Sequence, residues 1–103
     1  MKMVGVCACP TGVAHTYLAA AKLAECAESL GHTMKVEKQG SLGFEDQLKP
    51  REIREADVVV MALMVGCEME ERFAGKKVLK VGISEVLKDV TAVIKEAEEL
   101  ANK

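Results

Sequence analysis

The 103-residue sequence has few aromatic side chains and no long block of positive charge. Aromatic residues make up 3% of the chain, tryptophan is absent, and fourteen basic side chains against sixteen acidic ones give a net charge of −2. A nucleic-acid-binding surface combines clustered basic residues with aromatic ones. The composition therefore gives that function little support, and we expect no nucleic-acid partner.

Prolines are also scarce, since only two interrupt the chain, whereas 50% of the residues are apolar. This is a globular composition with enough apolar side chains for one compact core. No internal repeat, linker or low-complexity stretch divides it. We therefore predict one domain over residues 1–103.

Charge is missing from residues 3–21, and with Lys2 in front this stretch could be a signal peptide or a membrane segment. Glycine, proline, threonine and histidine interrupt it, however. They leave apolar runs shorter than the roughly 18 residues that a membrane span needs. The sequence therefore predicts a cytoplasmic protein.

The chain contains four cysteines: Cys7, Cys9, Cys26 and Cys67. Without a recognisable secretion signal, reduced thiols are the expected state. The Cys7-x-Cys9 pair lacks the second pair of ligands that a zinc site needs, so we expect neither a metal nor a cofactor. For Cys7, Cys26 and Cys67 we expect the common role of a small buried apolar side chain.

The spacing of apolar residues predicts alternating strands and helices. The predicted strands are 3–8, 33–38 with one solvated face, 58–63 as the central buried strand, and 77–81. The predicted helices are 13–30, which Gly31 ends, 50–56, 68–74, and an amphipathic helix that begins at Ser84 or Asp89 and ends near Ala101. Residues 39–43 are predicted to form a loop.

Strands that alternate with helices form parallel sheets through right-handed crossovers. We therefore predict an α/β fold: an open, mainly parallel, four-stranded sheet with helices on both faces, a doubly wound, Rossmann-like sandwich. Ligands of such sheets bind at the carboxyl ends of the strands, beside the first turn between strand and helix. Residues 9–16 occupy that turn.

A helix that begins near Gly12 or Val13 has backbone N–H groups without partners in its first turn and a partial positive charge there. Because the turn contains no Lys or Arg, an oxyanion such as phosphate would be held by the amides of about residues 11–16 and by the hydroxyls of Thr11 and Thr16. Gly12 has no Cβ to obstruct the anion. The predicted phosphate-binding residues are Pro10, Thr11, Gly12, Val13, Ala14, His15 and Thr16.

Cys9 lies at the edge of this predicted site. The helix terminus would lower the pKa of its thiol from about 8.5 toward about 7, which gives a nucleophilic thiolate. The same amides would stabilise the oxygens of a transferred phosphoryl group. Cys9 is therefore the predicted catalytic residue. His15 is expected to stay neutral, and donation to a phosphate oxygen and proton transfer both remain open for it.

Two further groups have weaker support. Gln39, Gly40 and Ser41 could present polar groups at the same edge, although a surface turn explains them equally well. A solvated helix face is the expected role of Glu68, Glu70, Glu71 and Arg72.

The octet Cys-Pro-Thr-Gly-Val-Ala-His-Thr at 9–16, the alanine-rich helix after it, and residues 35–41 and 71–76 resemble the fructose-type enzyme IIB domain of the bacterial phosphoenolpyruvate-dependent sugar phosphotransferase system. The similarity covers essentially the whole chain. It implies that Cys9 accepts a phosphoryl group from a phosphohistidine of a IIA protein or domain and passes it to a sugar carried by the membrane component IIC. It also implies a cytoplasmic phosphotransferase that associates peripherally with the inner-membrane transporter.

The sequence departs from the family pattern at two places. Members commonly carry an Asp just past the third strand, where this chain has Leu63-Met64-Val65, so a polar role at that place stays open. Glu37-Lys38-Gln39 replaces the more usual Glu-Thr-Gln. The sequence does not identify the sugar; fructose is the default, and mannose, mannitol-like substrates and other ketoses remain open.

Two other functions compete with phosphoryl carriage. Phosphatases of the Cys-x5-Arg type also hold a thiolate under backbone amides, but His15 stands here in place of the arginine that stabilises charge during attack by water. A thiol module could use Cys7 and Cys9 as a redox pair or for a soft metal. Residues two apart on a strand point to opposite faces, which disfavours that pairing.

Overall fold

The computed structural model describes residues 1–8, 13–40, 43–64, 66 and 70–103, with the side chains of all of these except residues 13–15 and 40. The order of elements is β1 (Lys2–Ala8), α1 (Val13–Ser29), β2 (Thr33–Gly40), β3 (Gly43–Glu45), α2 (Pro50–Glu55), β4 (Val58–Leu63), a 3₁₀ helix (Glu70–Phe73), β5 (Val78–Gly82), α3 (Ile83–Lys88) and α4 (Val90–Ala101). The predicted α/β class is confirmed.

The strands form one sheet in the order β3-β2-β1-β4-β5. β1 pairs in parallel with β2 and β4, and β4 pairs in parallel with β5, whereas β3 runs antiparallel to β2. The described sheet has five strands instead of the predicted four, because residues 43–45, which begin at the last residue of the predicted loop 39–43, form a short edge strand. β1 occupies the centre, a position that the sequence prediction gave to residues 58–63.

Buried side chains cover both faces of the sheet, because successive residues of a strand point to opposite sides. In β4, Val58, Val60 and Ala62 belong to the larger core, which α1, α3 and α4 cover. Val59 and Met61 belong to a second core together with Ile53 of α2 and Phe73 of the 3₁₀ helix. The predicted placement of helices on both faces is therefore confirmed.

The predicted C-terminal helix is divided into α3 and α4. Asp89 separates them, and its Oδ1 accepts a hydrogen bond from the backbone N–H of Ala92 at 3.1 Å, as an N-cap residue does. Val93, Ile94 and Ala97 are buried, which confirms the predicted apolar face of α4. In the described part of the predicted helix 68–74, only a short 3₁₀ helix is present.

The first helix ends where the sequence predicted. Gly31 has a φ of +88°, and the backbone N–H of His32 donates to the carbonyl of Ala27 at 2.9 Å. This left-handed residue after the last turn is a common helix terminator that glycine adopts without strain. Among the described residues, no helix combines the length and apolar character required to cross a bilayer.

Candidate functional site

The carboxyl ends of the parallel strands lie level at one edge of the sheet. Ala8, the last residue of β1, is in register with Gln39 of β2 on one side and with Leu63 of β4 on the other. The backbone N–H of Met64 also donates to the carbonyl of Ala8 at 2.9 Å. β1 therefore ends between the ends of two neighbouring strands, at the edge of the sheet where ligands of such folds bind.

Several of the predicted site residues lie outside the described residues: Cys9, Pro10, Thr11, Gly12 and Ser41. Val13, Ala14 and His15 form the start of α1, which agrees with the predicted beginning of the helix. The roles assigned to these residues remain predictions, including the hydrogen-bonding role of His15.

Thr16 is the predicted phosphate-binding residue whose side chain the structure describes. It lies in the first turn of α1 and is 4% exposed. Its hydroxyl oxygen has no hydrogen-bond partner among the described residues. Because a buried hydroxyl without a partner costs about 1–3 kcal/mol, such groups are uncommon outside places where a ligand binds or strain is stored.

Two cysteines are described, Cys7 and Cys26, and neither lies at the N-terminus of a helix. Cys7 is fully buried in the larger core, as predicted, and burial raises the pKa of its thiol to about 12, against a smaller opposing effect of the Lys38 charge. Cys26 is only partly buried, which differs from its predicted burial, and lies near the end of α1 away from its N-terminus. Cys67 lies outside the described residues.

A buried carboxylate lies next to the carboxyl edge. Glu37 of β2 is 0% exposed, and both of its oxygens accept hydrogen bonds from Arg72, at 2.8 Å each. The side-chain amide of Gln39 donates to Glu37 Oε2 at 2.7 Å, and the backbone N–H of Leu48 donates to Oε1 at 2.9 Å. The carboxylate is thus held by donors from three separate segments.

This network corrects three predictions. Glu37 lies on the face of its strand that was predicted to be solvated, Gln39 is buried at the end of β2 and not in a loop, and Arg72 is not on a solvated helix face. The sequence offered only a weak signal: a Glu and a Gln on one face of a strand. Their partner is 35 residues from Glu37 along the chain.

Glu37 remains ionised because its hydrogen bonds outweigh its burial. Burial by itself favours the protonated form, but the hydrogen bonds from Arg72, Gln39 and Leu48 and the charge of Arg72 hold the pKa of Glu37 below its ordinary value. Glu37 and Arg72 therefore form a charge-neutral pair at neutral pH.

A second polar cluster joins the start of α1 to the hairpin of β2 and β3. The Tyr17 hydroxyl donates to the carboxylate of Glu45, and the Lys38 ammonium lies 5.6 Å from the centroid of the Tyr17 ring. Lys38 also pairs with Asp46, and its hydrogen bond lowers the pKa of that carboxyl. Lys38 therefore links β2 to α1 and to the residue that follows β3.

Two large apolar side chains near the ends of described elements are exposed. Leu18 of α1 is 49% exposed, and Met64, which directly follows β4, is 58% exposed. Among the described residues, no three His, Cys, Asp or Glu side chains come together in a way that could hold a metal ion.

Comparison with known proteins gives consistent matches. Residues 4–96 match the family model described as the lactose/cellobiose-specific IIB subunit of the PTS system. The chain is 43% identical over 97 residues to the PTS system fructose-like EIIB component 2 of Escherichia coli strain K12, covering 94% of this chain and 92% of that protein.

Two further matches differ in extent. The chain is 45% identical over 98 residues to the fructose-like PTS system EIIBC component of Escherichia coli strain K12, covering 93% of this chain but 20% of that protein. A crystal structure of a domain from the fructose-specific IIABC component of Borrelia burgdorferi is 44% identical, with a TM-score of 0.89 over 93% of this chain and 91% of that one.

Proposed function

Because the chain belongs to the enzyme IIB family of the sugar phosphotransferase system, we propose that Cys9 is its phosphoryl carrier. Components of this kind are phosphotransferases of sugar transport. In the proposed cycle, the Cys9 thiolate takes a phosphoryl group from a phosphohistidine of a IIA protein. It then passes that group to a sugar bound by the membrane component IIC.

Each transfer exchanges one bond to phosphorus for another. In the first, the phosphorus–nitrogen bond of the phosphohistidine breaks, a phosphorus–sulfur bond forms to the thiolate, and the released imidazole nitrogen takes up a proton equivalent to the one that the thiol lost on ionising. In the second, the phosphorus–sulfur bond breaks and a sugar hydroxyl oxygen bonds to phosphorus. The hydroxyl proton returns the cysteine to its thiol form, so both steps balance without an oxidant or a further cofactor.

The predicted phosphate-binding residues, Pro10 through Thr16, would hold the phosphoryl oxygens by their amides and hydroxyls. The observation that carries this part is the buried Thr16 hydroxyl, which lacks a partner among the described residues and lies in the first turn of α1. A bound phosphoryl oxygen would supply the missing partner. In this site His15 acts as a neutral hydrogen-bond donor.

The assignment to Cys9 is supported by its neighbour Cys7. Cys7 is 0% exposed, and burial raises the pKa of its thiol to about 12, which disfavours Cys7 as a nucleophile or as a redox partner at neutral pH. Cys26 lies toward the other end of α1. Cys9 is the cysteine that the sequence places directly before the start of that helix.

The partners follow from the family. The similar EIIBC component joins, by its name, a IIB part to a C part in one chain. We propose that residues 1–103 form a single IIB domain that meets a IIA phosphohistidine protein and a IIC permease, and that it works at the cytoplasmic face of the inner membrane. The two Escherichia coli relatives, the EIIB component 2 and the EIIBC component, are both named fructose-like. These names support fructose or a related ketose as the sugar.

The test is to charge the wild-type chain with phosphoenolpyruvate, enzyme I, HPr and a fructose-type IIA protein, and then to map the phosphorylated peptide. The proposal predicts one phosphoryl group on Cys9 that persists until sugar and IIC are supplied. Label on another residue contradicts the assignment. Rapid release of inorganic phosphate from the charged chain supports a phosphatase instead.

A further inference from the structure

The buried ion pair of Glu37 and Arg72 has no role in the function proposed above. An ion pair withdrawn from water is rarely the most stable choice, because apolar side chains of similar volume often stabilise a fold as well or better. Glu37 is nevertheless 0% exposed and fully hydrogen-bonded. A role in positioning other groups explains why a charge is buried there.

The network connects the segments on both sides of the end of β1. Gln39, which donates to Glu37, is in register with Ala8, the residue directly before Cys9. Arg72 belongs to the 3₁₀ helix that the chain enters after leaving β4, the other neighbour of β1. The Glu37 carboxylate therefore ties the end of β2 to the 3₁₀ helix that follows β4 along the chain.

The carboxylate also fixes the orientation of the Gln39 amide. An ionised carboxylate only accepts hydrogen bonds, so Gln39 must turn its NH₂ group toward Glu37 and its carbonyl oxygen away from it. A glutamine at position 37 could accept or donate, and the amide of Gln39 would lose this constraint. The direction of a buried polar group beside Ala8 thus depends on the charge of Glu37.

We propose that Glu37 is a positioning residue for phosphoryl transfer: through Gln39 and Arg72 it holds the end of β2 in one geometry beside Ala8, the residue from which the chain continues to Cys9. The inference rests on the proposed function. Transfer to a thiolate requires reacting atoms at close distance and in line, and misplacement by about 1 Å can cost on the order of a hundredfold in rate. Glu37 acts through its neighbours and need not touch the phosphoryl group.

The test measures single-turnover charging of the full chain by a phosphorylated fructose-type IIA protein, with rapid quenching over a range of IIA concentrations. We expect Glu37→Gln and Gln39→Ala each to lower the limiting rate by at least about tenfold, while the half-saturating IIA concentration changes less than about twofold. The double variant should be no slower than Gln39→Ala, because both changes disrupt one unit.

A matched control is available in Glu52 of α2. Like Glu37, it accepts hydrogen bonds from a cationic side chain and from a backbone N–H: the Lys35 ammonium donates at 2.9 Å and the backbone N–H of Lys49 donates at 2.8 Å. Unlike Glu37, it is partly exposed. Lys35 lies four residues before Gln39 on the same strand, about 13 Å from the carboxyl edge. Glu52→Gln should therefore charge within about twofold of the wild-type rate.

Thiol reactivity separates positioning from electrostatics. Glu37→Gln leaves the Arg72 charge without its carboxylate, which favours thiolate formation nearby. Alkylation of Cys9 by iodoacetamide at pH 7 should therefore be no slower than in the wild type, although charging is slower. Parallel losses of alkylation and charging would overturn the positioning role.

Three further results would overturn the inference: wild-type charging rates in Glu37→Gln, equal losses in Glu52→Gln, or losses that multiply in the double variant. If Glu37→Gln does not fold, the charging rate of Gln39→Ala still tests the inference, because this variant removes one neutral donor to Glu37 and leaves the ion pair with Arg72 intact. A wild-type chain that takes no label on Cys9 refutes the proposed function and, with it, this inference. A wild-type chain that is labelled, together with an unimpaired Glu37→Gln variant, refutes the inference alone.

Discussion

Arg72 donates to both carboxylate oxygens of Glu37, at 2.8 Å each, across the connection between β2 and the 3₁₀ helix. The pair is inside the protein, since the side chain of Arg72 is 14% exposed and that of Glu37 is 0% exposed. In this bidentate geometry the planar guanidinium supplies a hydrogen-bond donor to each oxygen of the buried carboxylate. Loss of either partner should therefore lower the free energy of unfolding.

Arg72→Met should lower the free energy of unfolding by about 3–5 kcal/mol at pH 7, because it leaves the Glu37 carboxylate buried without its cation. Urea denaturation followed by circular dichroism measures this difference. Lys80→Met is the comparison, since Lys80 and Glu70 form a pair whose side chains are 59% and 45% exposed. Lys80→Met should lower the free energy of unfolding by less than about 1 kcal/mol. Equal losses of unfolding free energy in the two variants would contradict the claim that burial makes the Glu37–Arg72 pair costly to break.

The stability of the wild type should depend on pH through Glu37. Its pKa is lower in the folded state than in the unfolded chain, so the unfolded chain binds more protons as the pH falls below the ordinary glutamate value of about 4.3. The contribution of Glu37 is thus present at neutral pH and is lost as the pH falls through its folded-state pKa. Glu37→Gln should show a shallower loss of unfolding free energy over this range, and identical pH profiles would contradict an ionised Glu37.

Cys7 should not react in the folded protein. With its thiol buried and its pKa raised to about 12, alkylation by iodoacetamide at pH 8 should be far slower at Cys7 than at Cys9, and it should become fast only in urea. Peptide mapping after timed quenching measures both sites in one sample. Comparable rates at the two cysteines in the folded state would show that Cys7 is accessible.

Thr16→Val should separate stability from activity. Valine has nearly the same shape as threonine and removes a buried hydroxyl that has no partner among the described residues. We expect the free energy of unfolding to stay the same or rise by up to about 1 kcal/mol, while charging by phosphorylated IIA slows by at least about tenfold. Thr33→Val, at the exposed start of β2, is the control for charging. Normal charging of Thr16→Val would remove Thr16 from the phosphate-binding site.

Much of the architecture could be predicted because it depends on local patterns. The wholly apolar residues 58–63 could only be a buried strand, and the spacing of Val93, Ile94 and Ala97 fixed the buried face of α4. The short strand β3 was missed because a Gly-containing three-residue segment has too little pattern to distinguish it from a loop. Its strand character comes from pairing with β2.

The site was predictable only in part. The chemistry of residues 9–16 is local: it needs a thiol, a helix start and hydroxyls within a few positions, and all of these can be read from the sequence. The Glu37–Arg72 pair depends on contact between segments 35 residues apart. Charged residues in a strand and a short helix are usually solvated, so no local pattern distinguished this pair.

The most direct test of phosphoryl carriage by Cys9 compares Cys9→Ser with Cys7→Ala under the charging reaction. Alanine is suited to position 7 because a serine hydroxyl would be buried there without a water partner. We expect Cys9→Ser to take no phosphoryl label from phosphorylated IIA, and Cys7→Ala to be charged to the wild-type extent. Full charging of Cys9→Ser, or loss of charging in a folded Cys7→Ala variant, would contradict the assignment of Cys9 as the phosphoryl carrier.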